Sequence, residues 1–259
     1  MYTPIILLSI ALGFSTAAPT PSNQEQAGAA APAVTLSSSA PATSCTAKAS
    51  SNDLELYQKL TSAPSAVQRQ SLLSDADFVF DFLNPCDTEG ATTTGKGGHT
   101  VRADRASFPA LVSQGASITI GFLGPCGFNT PHVHPRAAEL NLVVEGTLFA
   151  SVTAENGARH MSHTLNKWQM TVFPAGAMHT EFNPECTPAT FVAAFPNEDP
   201  GVGQIAQEYF GLENEIVKGS AGGEVSIDGA DIDKFRAAIP ANVAAGVDSC
   251  LAKCGISKR

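Results

Sequence analysis

From about residue 99 to residue 196 the chain is a succession of short alternating segments separated by turn residues, and this rhythm restricts the fold more than any other feature. Ile118, Ile120 and Phe122 alternate along one segment, and Leu140, Leu142 and Val144 along another that ends at Gly146. Thr147 to Thr153 makes a third, closed by Glu155-Asn156-Gly157, a hairpin signal. Met170 and Val172 lead to the turn Pro174-Ala175-Gly176, and Ala189 to Phe195 forms a last strand. Evenly spaced short strands without an internal repeat predict one all-β sandwich or barrel. The 22 glycines and 17 prolines supply the turns such a fold uses.

The flanks read differently. Ile5 to Phe14 is apolar and is followed by Ser15-Thr16-Ala17-Ala18, so residues 1–18 are expected to be a signal peptide, the other expectation being a buried N-terminal strand. Residues 19–50, rich in Ala, Pro, Ser and Thr, bury too little apolar surface to offset their ordering entropy. A flexible tail, open to O-glycosylation, is expected there. Residues 51–220 then form the barrel with an N-terminal extension, and 221–259 carry C-terminal helices. Leu54, Leu56, Tyr57 and Leu60 predict a helix within 53–73, with a second short one starting near Pro64. The alternation Asp77-Phe78-Val79-Phe80-Asp81-Phe82 predicts a strand, and Gly90 to Gly98 a loop. Ile205 to Phe210, Ile232 to Ile239 and Val243 to Cys254 read as helices whose apolar faces need the outside of the barrel or a neighbouring subunit.

Charge excludes some partners. A net charge of -9 repels phosphate backbones and anionic lipid, so neither nucleic acid nor a membrane is an expected partner, and an anionic substrate needs a locally positive site. No segment beyond the leader is long and apolar enough for a membrane helix. An even count of six cysteines in a secreted chain points to disulfides, whose pairing the sequence leaves open. No Asn-x-Ser/Thr acceptor has a permitted middle residue, so N-glycosylation is not expected.

The chemistry concentrates in Pro131-His132-Val133-His134-Pro135-Arg136-Ala137-Ala138-Glu139. Side chains at i and i+2 of a strand leave the same face, so His132 and His134 present imidazoles to one point. Glu139 opens the next strand, with Asn141 and Val143 on its face. Forty residues on, His179 stands just past the turn Pro174-Ala175-Gly176, and Asn183 shares its parity. Neutral imidazoles with one carboxylate suit a divalent ion: manganese, iron, nickel, copper or zinc. One carboxylate leaves such a site about one unit positive, which suits a small anion or superoxide. His99, His160 and His163 are assigned to the surface or to structural roles.

These residues resemble the two motifs of the cupins, specifically of germin-like and spherulin-like proteins. The first motif is matched by His132, His134, Glu139 and Gly146, with Cys126 at the place of its leading glycine. The second is matched by Pro174, Gly176, His179 and Asn183, with Trp168 at the place of its first glycine. The resemblance spans roughly residues 75–220. It implies a jelly-roll barrel with an N-terminal helical segment and C-terminal helices. It also implies manganese as cofactor, held by the three histidines and Glu139, while the ligands alone leave zinc, nickel or iron open. C-terminal helices in such proteins commonly mediate homo-oligomers. Cys126 and Cys186 flank the two motifs, so a bridge between them is expected, leaving Cys45, Cys86, Cys250 and Cys254 to pair among themselves.

Two classes of function follow from the resemblance. One is a secreted oxidoreductase of the extracellular space or cell wall, an oxalate oxidase or a superoxide dismutase, with Asn129 and Asn141 donating hydrogen bonds to the bound anion. Asn129 otherwise caps the loop before the strand. An oxalate decarboxylase is not expected, because those proteins usually carry two barrels and the chemistry needs an acid on a lid. The other class is a non-enzymatic wall-associated or stress scaffold of the spherulin type.

Overall fold

The computed structural model describes residues 54–85, 90–220 and 237–257. The expected signal peptide and tail, most of the 232–239 helix, and Cys45 and Cys86 lie outside them. Twelve strands build two antiparallel sheets: β1 (Thr92–Gly95), β2 (Gly98–Ala103), β3 (Ser117–Leu123), β4 (Gly127–Val133), β5 (Glu139–Glu145), β6 (Thr147–Thr153), β7 (Met161–Asn166), β8 (Met170–Phe173), β9 (Met178–Phe182), β10 (Ala189–Phe195), β11 (Gly203–Gln204) and β12 (Ala244–Ala245). One sheet runs β1-β2-β3-β10-β5-β8 and the other β11-β4-β9-β6-β7, with β12 added to β4. Helices α1 (Leu54–Ser62), α2 (Ala66–Gln70), α3 (Ile205–Tyr209), α4 (Asn214–Ser220) and α5 (Asp248–Lys253) flank them. This is the jelly-roll barrel that the resemblance implies, and the hairpin over Glu155-Asn156-Gly157 joins β6 to β7 as its turn residues predict.

The inward faces carry Val143, Leu148, Phe173 and Phe191, all essentially inaccessible. Parity makes the opposite set face out. Leu140, Leu142 and Val144 lie on the outer face of β5, the face that also carries Ile118, Ile120 and Phe122 of β3 across β10, because Glu139, Asn141 and Val143 take the inner one. The alternation thus marks strands correctly, while the side it buries is the polar one at the head of β5.

Four expectations are corrected. Asp77–Phe82 is not a strand: Ser74 donates its N–H and hydroxyl to Asp77 Oδ2, both at 2.8 Å, and Asp75–Phe78 winds into a 3₁₀ turn. Local capping of that kind outcompetes an alternating pattern. The Gly90–Gly98 stretch is not all loop. Its β-branched threonines form β1, which pairs with β2 across a tight glycine turn.

Val243–Cys254 is helical only from Asp248. Ala244 and Ala245 instead pair with Phe128 and Gly127 of β4, and Gly97 N–H donates to Val243 O at 3.0 Å. An uncovered β4 edge would leave unpaired backbone groups, and this segment fills the place. Gly97 lies so close that a β-carbon there would collide with Ala244. Val243 is buried in the barrel core, and Val247 and Leu251 pack with Phe182, so the apolar faces of this segment find their partner on the barrel itself.

Cys126 and Cys186 are not bonded to each other. The bridges are Cys126–Cys250 and Cys186–Cys254. Residues four apart share one face of a helix, so α5 and its C-cap place Cys250 and Cys254 between the expected pair. The Cys126 and Cys254 sulfurs still lie 3.6 Å apart.

Candidate metal centre

The barrel interior gathers His132, His134, Glu139 and His179, whose donor atoms all lie within 4.8 Å of one another. His132 on β4 faces His179 on β9 across the strand pair, and Glu139 reaches in from the first residue of β5 on the other sheet. A bulge sits in β4 between Asn129 and His132, whose partners on β9 are Glu181 and His179. Two residues, Thr130 and Pro131, against the one residue Thr180 are what let Asn129 and His132 both point inward, since strict alternation would separate them. Phe173 stacks on His179 with ring centroids 4.3 Å apart, and Phe195 lies 4.5 Å from His134, which fixes both imidazole planes.

Backbone carbonyls decide what the imidazoles offer. Nδ1 of His132 meets Thr130 O at 2.9 Å, Nδ1 of His179 meets Ala177 O at 2.7 Å, and Nδ1 of His134 meets Gly201 O. A carbonyl only accepts, so each Nδ1 carries a hydrogen and each Nε2 is free to present a lone pair. His134 and His179 bring Nε2 to 3.0 and 3.2 Å from the same oxygen, Glu139 Oε2. Lone pairs and a carboxylate oxygen at such spacing repel unless a proton or a cation lies among them. Three imidazole lone pairs and one carboxylate form a donor set for a divalent first-row ion, so the residues present fit such an ion. Burial, and then the neighbouring His179, holds the His132 imidazole neutral, with its pKa lowered to about 3. Burial alone would push the Glu139 carboxyl up, but the polar surroundings supplied by the His134 and His179 imidazoles hold it well below the usual carboxylate range.

A second carboxyl, outside the sequence motifs, is buried at the site. Glu181 is inaccessible, two residues beyond His179 on the same face of β9, and the parity that marks Asn183 marks it equally. Asn141 Nδ2 donates to Glu139 Oε1 at 2.9 Å and to Glu181 Oε1 at 3.3 Å, bridging the two acids. Burial first, then the Glu139 charge, pushes the Glu181 carboxyl well above its ordinary range. Among the described residues its Oε2 has no hydrogen-bond partner, and neither do Asn129 Oδ1 and Asn141 Oδ1. A proton on Glu181 therefore relieves a cluster of acceptors.

The sign of the effect on stability follows. The folded chain keeps this proton where the unfolded chain gives it up, so the fold loses stability as pH rises above about 4.5, the ordinary carboxyl value. Glu181→Gln removes that loss and supplies donors. Its melting temperature is expected to rise above that of the wild type at pH 7 and to match it at pH 4. An equal or lower value at pH 7 would mean that Glu181 is ionised in the fold.

Asn129 and Asn141 have different places. Asn129 is buried beside His132, its Nδ2 3.4 Å from Nε2, and lines an open cavity of about 220 Å³ that reaches the donor cluster. Asn141 is occupied between the two glutamates and lies outside the cavity lining. The other histidines stand apart. His99 stacks on Phe122, His160 meets Ser151 and Thr153, and His163 meets Thr171. Both motif positions that lack glycine keep its backbone: Cys126 has φ 57° and Trp168 φ 67°. A left-handed non-glycine costs roughly 1–2 kcal/mol, so these turns retain their shape at an energetic cost.

A family model described as Cupin matches residues 85–222. Spherulin-1A of Physarum polycephalum is 42% identical over 204 residues, which cover 78% of this chain and 80% of that one. Germin-like protein 8-2 of Oryza sativa subsp. japonica is 43% identical over 110 residues, covering 42% of this chain and 50% of that protein. Among solved structures, an oxalate oxidase in complex with the substrate analogue glycolate superposes with a TM-score of 0.53 at 25% identity, covering 64% of this chain and 85% of the other.

Proposed function

This chain belongs to the cupin family, and from that membership we propose that it is a secreted manganese-binding germin-like cupin acting as an oxidoreductase on a small anion, oxalate or superoxide. The observation that carries the reading is the set of three Nε2 lone pairs and one buried carboxylate aimed at a common point beside an open cavity. His132, His134, Glu139 and His179 would hold the metal. Bound there, manganese supplies positive charge for an anion and a one-electron redox couple. The rest falls to the chain. Asn129, at the inner end of the cavity, orients the anion by hydrogen bonding. Asn141 acts as a positioning residue that fixes Glu139 through Oε1. Phe191 and Phe195 exclude water from the inner wall.

Two further parts of the reading have their own support. Disulfides Cys126–Cys250 and Cys186–Cys254 suit an oxidising extracellular space or cell wall. The outer face of the first sheet leaves Leu140 43%, Val172 52% and Met170 58% exposed, an apolar surface suited to a homo-oligomer.

The likeness to Spherulin-1A over most of both chains favours a second reading, a stable wall or stress scaffold in which the metal is structural. One preparation separates the two. Protein secreted by a eukaryotic host is expected to hold about one manganese per chain, sediment as more than a monomer, and release hydrogen peroxide from oxalate or consume superoxide. Metal present with neither activity selects the scaffold, and a preparation holding no transition ion removes both readings.

A further inference from the structure

The cavity has room for more than a two-carbon diacid. At about 220 Å³ it exceeds by more than ten times the ~15 Å³ that a single water requires. It runs from the donor cluster along the inner face of the first sheet, where Thr93 pairs with Thr100, Thr100 with Gly121, and Arg102 with Thr119. Exposure rises in that direction: His132 is 1% exposed, Thr100 and Thr119 are half-buried, and Thr93 is exposed at the outer end.

Charge and hydrogen bonding define what this outer half takes. Its cation is already matched: Arg102 Nε stands 2.6 Å from Asp104 Oδ2, and Arg102 Nη2 donates to Gly90 O. A second carboxylate would find no unpaired positive charge there. Thr93, Thr100 and Thr119 line the space with hydroxyls that have no hydrogen-bond partner among the described residues. Across from them Asn242 has its Oδ1 committed to Thr130 N–H at 2.9 Å, which leaves its amide N–H groups for a ligand. Asn242 stays in place because the segment after it is pinned, by β12 on β4 and by α5 through two disulfides.

We propose that the site takes a polyhydroxy carboxylate, a sugar acid in chemical class, with its carboxylate end at the donor cluster and its neutral hydroxylated tail among Thr93, Thr100, Thr119 and Asn242. The inference rests on the metal-binding reading above and names the ligand class of that same site. Each hydroxyl pairing contributes about 1 kcal/mol, a factor of about five in affinity.

The test uses the full secreted chain loaded with Mn²⁺ and dialysed, titrated calorimetrically with gluconate and with glycolate, which has the same carboxylate head and no tail. Gluconate is expected to bind at least about tenfold more tightly, and Thr100→Val and Thr119→Val each to reduce the gluconate-to-glycolate ratio about fivefold. Valine keeps the β-branched shape that suits the strand. Elemental analysis after each titration verifies that the metal has stayed in the protein. Metal retained with gluconate no tighter than glycolate overturns this inference alone, as does an unchanged ratio in both variants. A protein that never retains metal overturns the underlying reading and this one with it.

Discussion

Glu139→Gln is expected to empty the metal site while leaving the barrel folded. Glutamine matches the shape of glutamate, and its amide oxygen can still accept from Asn141. What it loses is the negative charge on Oε2, the atom that His134 and His179 approach at 3.0 and 3.2 Å. Removing an outer-shell partner of a metal ligand typically costs about 10–100-fold in affinity, so loss of the lone anionic donor should cost at least ~100-fold. Elemental analysis after dialysis should find metal in the wild type and next to none in the variant; equal occupancy would take Glu139 out of the donor set. Chelating the wild type should lower its melting temperature, since a ligand at 100 times its dissociation constant stabilises the fold by about 2.7 kcal/mol.

Acid should empty the site as well. His132 stays neutral in the fold down to about pH 3, whereas an unfolded histidine takes a proton near pH 6.5. The unfolded state therefore binds more protons between these values, and stability falls as pH drops through that window. A proton on His132 Nε2 also occupies the lone pair that a metal needs, so ion loss runs in the same direction. A holoprotein whose melting temperature is flat from pH 7 to pH 4 would contradict this account.

The second large effect concerns the C-terminal segment. Cys126–Cys250 and Cys186–Cys254 span sequence separations of 124 and 68 residues. In chain-entropy terms each such cross-link restricts the unfolded chain by about 4–5 kcal/mol. The loops overlap, so the joint effect is less than the sum. Replacing all four cysteines with serine is expected to lower the melting temperature by roughly 10–20 °C, at about 2–4 °C per kcal/mol for a chain of this size. All four must go, because removing only Cys250 and Cys254 leaves Cys126 and Cys186 free to pair. A shift of only a degree or two would mean that β12 and Val243 hold the segment unaided.

The convergence of the four donors is legible in the sequence because it rests on local parity. His132, Glu139 and His179 each stand at or one residue inside a strand end, and i, i+2 spacing fixes which neighbours share their face. The barrel strands are legible for the same reason. The bulge that turns Asn129 inward is not, since an extra residue in one strand shows only against its partner. Asp77–Phe82 misleads because its alternation is real while Ser74 holds Asp77 in a turn. Ala244–Ala245 misleads because helix periodicity says nothing of an empty place beside β4. Glu181 was within reach of the parity rule, but an acid beside another acid reads as a surface residue until both are found buried.

Cys126 joins these themes. It occupies a left-handed turn at the head of β4, six residues before His132, where the family motif has glycine, and its sulfur is bonded to the C-terminal helix. A position that elsewhere serves as a hinge is here a rivet between the tail of the chain and the strand carrying two of the inward-facing side chains. Trimming that tail, by protease or by design, would loosen the strand from its root, so its fate should register at the metal before it registers anywhere else.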